Sequence, residues 1–208
     1  MISDIHSHVF SDSAVVNIAP DQSFSTAGIY SVGVHPWATS DPISTALALE
    51  KLGEVAVSPQ IVAIGEAGID RLRGGDVDFQ IEVFRLQIYI SETLKKPMIL
   101  HVVRAFDLLP EIHRESKAVQ PWIIHGFRGK PELARQMIGE GFYLSLGERF
   151  NPETAAIIPA DRLMVETDES ALTISEIAAR VAAARADGMT AADVLRISVS
   201  NISRTSIR

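Results

Sequence analysis

The chain contains no cysteine, and this absence limits the chemistry of any site it carries. There can be neither a disulfide framework nor a thiolate ligand, so a bound metal ion would have to rest on imidazole and carboxylate groups. Six histidines and 26 acidic residues supply those groups. The lack of disulfides also favours a cytoplasmic location.

Long apolar stretches are also missing. No uninterrupted apolar run approaches the roughly 18 residues that a membrane span requires, so we expect no membrane partner. The first residues lack a basic segment followed by an apolar one, so we expect no secretion signal. The 208 residues, 47% of them apolar and 22% charged, are typical of a globular protein, and we expect a single domain over residues 1–208.

Positive charge is scarce in the first third of the chain. Residues 1–70 contain eight acidic groups and one basic residue, Lys51, and the net charge of the whole chain is −7. This balance would ordinarily argue against a nucleic-acid partner, whose phosphates require basic groups. Divalent cations bound in this region would offset part of the surplus, so the net charge does not describe the field near such a site.

Short β-branched runs alternate with amphipathic stretches, which is typical of βα units around a parallel sheet. We therefore predict an α/β protein with the (β/α)8 TIM-barrel fold. The predicted strands are 1–7, 15–18, 29–34, 61–65, 98–101, 122–125, 142–145 and 163–165. The predicted helices are 78–94, 105–116, 131–139, 173–186 and 190–199. About 20 residues separate the first strand from the third, so we expect the N-terminal βα units to be trimmed.

Polar side chains lie at or just beyond the ends of several predicted strands. Alternation along the first strand places His6 and His8 on one side. The carboxyl ends of barrel strands assemble active sites, and the candidates there are of the types that bind metal ions. The six candidate ligands are His6, His8, Glu66, His101, His125 and Asp168.

Each of these residues also has a purely structural interpretation. Glu66 could pair with an arginine, the histidines could be buried with satisfied hydrogen bonds, and Asp168 could cap the following helix. A convergence of all six without a metal would, however, be a costly cluster of buried polar groups. The set as a whole therefore favours a metal site.

Other polar side chains also follow the strand ends. His35 comes after the third strand, where it could contact substrate or orient a metal ligand. Basic residues follow strands four to seven at Arg71, Arg73, Arg104, Arg128, Lys130 and Arg149. They could face solvent, or they could face an anionic substrate that lies across the metals. We expect Arg104 and Arg128 to be among the substrate contacts.

Taken together, the motifs resemble those of the TatD family of metal-dependent hydrolases, within the amidohydrolase-like barrels. The resemblance runs from Asp4 to about Ser170. In chain order its segments are Asp4-Ile-His6-Ser-His8, Gly33-Val-His35-Pro36-Trp37, Ala63-Ile-Gly65-Glu66-Ala-Gly68-Ile-Asp70, Pro97-Met-Ile-Leu-His101, His125-Gly-Phe127-Arg-Gly129, Gly141-Phe-Tyr-Leu-Ser145 and Glu166-Thr-Asp168.

The resemblance implies two divalent ions, of Zn, Mg or Mn, with Glu66 bridging them. One ion would be held by His6, His8 and Asp168, and the other by His101 and His125. The chain departs from the family at Val103, where an arginine is common, and at Glu169-Ser170, which leads almost directly into a helix instead of a long loop. Those departures concern the substrate groove and leave the ligand set intact.

The resemblance also implies an activity on ester bonds, that of a phosphodiesterase or deoxyribonuclease of the 3′ exonuclease type. DNA or a small phosphate ester would be the substrate, and a homo-oligomer could cover the trimmed barrel wall. We hypothesise that the ions lower the pKa of a shared water and that Asp168 accepts its proton. Glu166 is expected to lie too far round the strand to replace Asp168. His35, Arg104 and Arg128 would contact the substrate.

Two other functions remain open. A barrel amidohydrolase could act on an amide, a lactone or another carbonyl substrate, and such enzymes often bridge their metals with a carboxylated lysine after strand four. This chain has Glu66 there, and Lys95-Lys96 precede strand five, at the opposite face of the barrel. The third possibility is a metal-binding protein without turnover.

Overall fold

The structure is a computed structural model that describes residues 1–205 and 207. The strands are β1 Asp4–Ser7, β2 Ala14–Ile18, β3 Tyr30–Val32, β4 Ile61–Asp70, β5 Met98–Val103, β6 Trp122–Ile124, β7 Tyr143–Leu146 and β8 Leu163–Val165. The α-helices are α1 Pro42–Val55, α2 Val77–Leu94, α3 Leu109–Glu115, α4 Pro131–Gly139, α5 Pro152–Ile157, α6 Ile174–Ala184 and α7 Ala191–Arg204. Two 3-10 turns span Pro36–Thr39 and Ala160–Arg162.

The eight strands follow one another in chain order in a single parallel sheet. The segment after β8 returns to β1, where Ser7 and Asp168 form a parallel bridge. This arrangement confirms the predicted (β/α)8 barrel class. Within the described residues no helix separates β1 from β2 or β2 from β3, as expected for trimmed N-terminal units.

By its contacts the chain divides into two compact units, one of residues 17–122 and one of residues 1–16 with the chain from 123 onward. The prediction of a single domain stays a prediction. In the unit of residues 17–122, β4 pairs with β3 and β5. Helix α2 buries Phe84 against the ring of Trp122, with the centroids 5.3 Å apart.

The other unit contains β1, the β6–β8 ladder and helices α4 to α7. Asn201 of α7 donates hydrogen bonds from Nδ2 to the carbonyl oxygens of Ala160 and Leu163, at 2.7 and 2.8 Å. These bonds fix α7 on the start of β8, because one buried side chain satisfies two backbone acceptors there.

The structure corrects several predicted boundaries. β4 continues to Asp70 and β5 to Val103, so Glu66 and His101 lie inside strands and do not follow them. Glu66, Gly68 and Asp70 interrupt the apolar pattern in this part of β4, so the pattern did not predict it as strand. Helices α1 and α5 were not predicted; α1 buries only Thr45 and Leu52 and so lacks a continuous apolar stripe.

None of the helices in the described part of the chain is both long and apolar enough to cross a membrane.

Candidate metal centre

Five polar residues form a first cluster in the unit that contains β1 and β8, namely His6, His8, His125, Glu166 and Asp168. His6 lies inside β1 and is fully buried, whereas His8 follows β1 and its side chain is 36% exposed. The Nε2 atoms of His6 and His8 lie 3.7 and 3.6 Å from Oδ1 of Asp168. The ring centroids of His6 and His125 are 4.3 Å apart.

The backbone brings Asp168 to this position. Asp168 has a left-handed φ of 55°, and its backbone N–H donates to the carbonyl of His6 at 2.9 Å. The backbone N–H of His8 in turn donates to the carbonyl of Asp168 at 3.1 Å. The segment after β8 is thus paired with the end of β1, and its carboxylate faces two imidazoles.

Asp4 holds the same segment in place by hydrogen bonds. Its carboxylate accepts hydrogen bonds from the backbone N–H and the hydroxyl of Thr167, at 3.1 and 2.7 Å, and from the backbone N–H of His6 at 3.3 Å. Burial raises the pKa of Asp4 to about 7, although the bonds from Thr167 favour its charged form. Sequence reasoning gave Asp4 no role in the site, and its place at the head of the first motif was the available signal.

Glu166 is fully buried, and its carboxylate lies against His125. Its Oε1 accepts a hydrogen bond from the backbone N–H of Gly126 at 2.6 Å and lies 3.3 Å from Nδ1 of His125. Its Oε2 is buried without a hydrogen-bond partner among the described residues. Glu166 therefore belongs to the first cluster, a contact that sequence reasoning did not predict, and the expectation that it cannot replace Asp168 as the base stays a prediction.

A cavity of about 170 Å³ opens beside the first cluster. Glu166 and Asp168 form part of its wall, together with the exposed Arg128 and Arg149. Glu148 and Glu169 also line the cavity, so its wall has four carboxylates and two guanidinium groups, a set that suits a cation with an anionic ligand bound to it. The cavity supports the predicted substrate contact of Arg128, which stays a prediction.

A second cluster lies in the unit of residues 17–122 and consists of His35, Glu66, Asp70 and His101. Oε1 of the buried Glu66 lies 3.2 Å from Nε2 of His35 and 2.7 Å from Nδ1 of His101. The backbone N–H of Trp37 donates to Nδ1 of His35 at 3.1 Å. That bond assigns Nδ1 as the acceptor, so neutral His35 carries its proton on Nε2, towards Glu66.

Asp70 holds the far side of the His101 ring, since its Oδ2 lies 3.3 Å from Nε2 of His101. The same carboxylate accepts from the indole N–H of Trp37 at 2.6 Å and from the backbone N–H of Leu72 at 2.8 Å. Burial opposes ionisation of Asp70, but the hydrogen bonds from Trp37, Leu72 and His101 outweigh it and lower the pKa. A carboxylate on one ring nitrogen leaves the other nitrogen directed at a metal position.

The first cluster, and Glu66 with His101 in the second, have donor sets that fit a divalent cation, whereas His35 with its proton on Nε2 would have to lose that proton to become a ligand. In each of the following triads, one donor atom per residue lies within 4.8 Å of the others: His6, His8 and Asp168; His125, Glu166 and Asp168; and His35, Glu66 and His101. Imidazole nitrogens and carboxylate oxygens are the ligands of zinc, and carboxylates also suit magnesium and manganese.

Of the six predicted ligands, the structure thus brings four together in the first cluster and two in the second. The bridging role of Glu66 stays a prediction. His35 was predicted as a substrate contact or an orienting residue, and the structure places it within bonding distance of a candidate ligand.

The basic residues after β4 and β5 have specific positions. Arg71 makes two hydrogen bonds to the carboxylate of Asp107, at 2.7 and 2.8 Å, and a third to the carbonyl of Arg104 at 2.7 Å. Arg71 is therefore engaged in tying two loops together. Arg104 is exposed directly after β5, and its substrate contact stays a prediction.

Lys96 lies where the sequence placed it, before β5. Its Nζ donates to the carbonyl oxygens of Ala56 and Ser58. Because both acceptors follow α1 and precede β4, this lysine is held at the amino ends of the strands. It is not available as a carboxylated bridge between metals.

Comparison with known protein families identifies the family to which the chain belongs. A sequence model of the TatD-related DNase family matches residues 8–205. The chain belongs to this family. The resemblance carried by the strand-end motifs is thereby confirmed.

Relatives and solved structures extend this result. A metal-dependent hydrolase of Bacillus subtilis, YabD, is 34% identical over 151 residues, which are 68% of this chain and 58% of that protein. The 3′-5′ ssDNA/RNA exonuclease TatD of Erwinia tasmaniensis is 32% identical over 167 residues, or 72% of this chain and 59% of that protein. The match therefore spans less than two thirds of either relative.

The crystal structure of the Escherichia coli TatD homologue YJJV has the same fold. It superposes with a TM-score of 0.77 at 20% identity, covering 92% of this chain and 85% of YJJV.

Proposed function

We propose that the protein is a metal-dependent hydrolase that cleaves phosphodiester bonds in single-stranded DNA, from the 3′ end. The observation that carries this proposal is the pair of imidazole and carboxylate clusters, whose members lie in the strands or directly after them. Two relatives support it by their names, one as a metal-dependent hydrolase and the other as a 3′-5′ ssDNA/RNA exonuclease. Arg128 and Arg149 line the cavity beside the first cluster and would pair with a phosphate of the substrate there.

The ligands proposed in the first cluster are His6, His8, His125 and Asp168, and those in the second are Glu66 and His101. These residues would hold divalent ions, whose chemistry there would be to lower the pKa of a water and to polarise a phosphoryl oxygen. In the second cluster, Asp70 keeps Nδ1 of His101 turned towards Glu66. In the first cluster, Glu166 accepts a hydrogen bond from Nδ1–H of His125. The lone pair of Nε2 is then the one that His125 offers to the cation.

Asp168 is the proposed proton acceptor. Both Asp168 and Glu166 line the cavity, but the Asp168 side chain is 29% exposed, whereas Glu166 is fully buried and already accepts a hydrogen bond from Gly126. A carboxylate that reaches both the cluster and solvent can take a proton from water and release it after each turnover.

The test uses Asp168→Asn with a 3′-labelled single-stranded oligonucleotide and Mg²⁺, Mn²⁺ or Zn²⁺. We expect the rate to fall about 10²- to 10⁴-fold, the contribution of a general base. Asp161→Asn serves as the matched control, because Asp161 is an exposed carboxylate outside both clusters. Full activity of Asp168→Asn with metal bound would contradict the assignment of the base.

A substrate panel separates the reaction classes. The protein, loaded with each ion in turn, is assayed on a phosphodiester, on single-stranded DNA and on lactones and amides. We expect turnover of the phosphodiesters alone. Turnover of the carbonyl substrates alone would favour an amidohydrolase, and bound metal without any turnover would favour a metal-binding protein.

A further inference from the structure

Trp37 is a large aromatic side chain that remains 46% exposed immediately beside the second cluster. Its ring centroid lies 4.8 Å from that of His35 and 5.6 Å from that of His101. The hydrogen bond from its indole N–H to Asp70 fixes the ring, since this is the only donor that the side chain has. Trp37 is thus an oriented apolar surface beside a proposed metal position.

Arg73 completes this surface. Its guanidinium carbon lies 4.5 Å from the centroid of the Trp37 ring, within the range of a cation–π contact. Among the described residues the Arg73 side chain has no ion pair and no hydrogen bond. Its charge is therefore available to a ligand. We call Trp37 and Arg73 the aromatic platform.

The backbone that carries the platform is held in place before any ligand arrives. Nε2 of Gln80 shares its two hydrogens among the carbonyl oxygens of Asp70, Arg73 and Gly75, which lie at 3.0, 2.9 and 2.9 Å. The backbone N–H of Gly75 donates to the hydroxyl of Thr39 at 2.9 Å. The loop with Arg73 and the turn with Trp37 are therefore fastened to each other.

Gly74 allows the loop after β4 to lie against the turn that carries Trp37. Its φ is +90°, and a Cβ at this position would lie 2.1 Å from the carbonyl oxygen of Pro36. Only glycine lets the loop after β4 approach the turn that carries Trp37. Gln80, Thr39 and Gly74 thus hold the backbone on which the Trp37 ring and the Arg73 cation lie side by side.

We propose that the aromatic platform stacks a nucleobase of the substrate. Each base has a π-face that stacks on an aromatic side chain, and a guanidinium can stack with the base or pair with its phosphate. An apolar protein partner would use the ring but not the unpaired cation beside it. The proposal deepens the proposed function, because it names the part of the nucleotide that is bound next to the second cluster.

Fluorescence provides a readout that needs no turnover. The chain has two tryptophans, and Trp122 is buried, so Trp122→Phe leaves Trp37 as the only emitter. We expect deoxyadenosine monophosphate to quench this emission and 2-deoxyribose 5-phosphate, which has no base, to leave it unchanged. Equal responses to both compounds, or no response to either, would overturn the proposal. If Trp122→Phe does not fold, the wild-type protein gives the same comparison over the emission of Trp122.

Substitutions test the two members of the platform. Stacking on an aromatic side chain contributes enough that Trp37→Leu should weaken binding of the nucleotide, measured by calorimetry, about five- to 150-fold. Arg73→Gln should weaken it less, and Trp37→Phe should restore part of the loss. Arg135→Gln, an exposed arginine of α4, is the matched control and should change nothing.

The two proposals can fail separately. Base-dependent quenching by the nucleotide without hydrolysis of any oligonucleotide would support the platform and contradict the nuclease. Hydrolysis of single-stranded DNA with an unchanged KM in Trp37→Leu would support the nuclease and contradict the platform.

Discussion

Asp70 shows how one buried carboxylate can serve two neighbours. It accepts from Trp37 and Leu72 and faces Nε2 of His101, so it orients an exposed ring and a proposed metal ligand at once. A neutral amide could keep one of these bonds but would not attract the ring proton of His101 in the same way. The loss would therefore appear in metal binding and not only in stability.

We predict that Asp70→Asn lowers the affinity for a divalent ion about 10- to 100-fold, as measured by titration with Zn²⁺ or Co²⁺. The matched control is Glu54→Gln, which changes an exposed carboxylate of α1 that pairs with Lys51 and lies outside both clusters. Unchanged affinity in Asp70→Asn, with normal folding, would mean that Asp70 is merely a structural acceptor for Trp37.

The sequence predicts ligands well where the residue type itself binds metals, as histidine does. It does not predict residues that belong to the site only because of where the backbone places them. His6, His8, His125 and Asp168 were predicted as ligands, and the structure brings them together. The prediction that Glu166 is too far round the strand to replace Asp168 as the base stays a prediction, but sequence reasoning missed that its carboxylate lies against His125.

At the scale of elements, β4 and β5 approach each other closely around Gly68. Its φ is +142°, and a Cβ would lie 2.1 Å from the carbonyl oxygen of His101. A side chain at residue 68 would push β5 away and displace the ligand that β5 carries. The glycine is thus part of the construction of the second cluster.

We predict that Gly68→Ala destabilises the fold by roughly 2–4 kcal/mol, from overpacking plus backbone strain, in urea unfolding. Gly53→Ala is the matched control, since Gly53 lies in α1 with open space around its Cα. That change should instead stabilise by up to about 1 kcal/mol, the helix preference of alanine over glycine. Equal effects at both positions would contradict the close approach of β4 and β5.

Helix α7 begins with a reciprocal cap that makes a pH prediction possible. The backbone N–H and the hydroxyl of Thr190 donate to Asp193 at 2.9 and 2.7 Å, and Arg196 also donates to this carboxylate. These bonds lower the pKa of Asp193 from 3.8 to about 2. A lowered pKa means that its contribution to stability is present above about pH 4 and is lost as the pH falls through about 2.

We therefore expect Asp193→Asn to lower the melting temperature at pH 6 and to converge on the wild type as the pH approaches 2. Thr190→Ala, which removes the other half of the cap, should cost about 1 kcal/mol at neutral pH. A constant difference between Asp193→Asn and the wild type from pH 6 to pH 2 would contradict the cap. Thermal unfolding across this pH range provides the measurement.

The elements themselves were predictable to different degrees. All eight strands were predicted near their observed positions, because short β-branched runs are distinctive between helices. Helices α1 and α5 were missed: α1 leaves Ile43 and Leu47 exposed and so has no single apolar face, and α5 spans only six residues. Helices are predicted from apolar residues that recur at helical spacing, and helices that bury so few side chains lack this pattern.

At the scale of the whole molecule, the charge is unevenly placed. The acidic surplus falls in residues 1–70, the same part of the chain that supplies His6, His8, His35 and Glu66. Where such carboxylates lie close together, as Glu66 and Asp70 do on either side of His101, their repulsion weakens the folded state, and a bound cation would relieve part of it. Metal binding and stability should therefore be linked.

The size of this linkage follows from mass action. A ligand that binds only the folded state at 100 times its Kd stabilises that state by about 2.7 kcal/mol. For a chain of this length, 1 kcal/mol corresponds to roughly 2–4 °C in melting temperature. We predict that saturation with Zn²⁺ or Mn²⁺ raises the melting temperature by roughly 5–10 °C over the chelator-treated protein.

His8→Ala separates the contribution of metal binding to the melting temperature from the contribution of side-chain packing. The His8 side chain is partly exposed, so its removal should change the melting temperature of the metal-free protein little, whereas His6→Ala would also open a cavity in the core. We expect His8→Ala to lose much of the metal-induced rise while the chelator-treated proteins melt together. A wild-type melting temperature that does not respond to metal or chelator would contradict the metal centre itself, independently of any assay for hydrolysis.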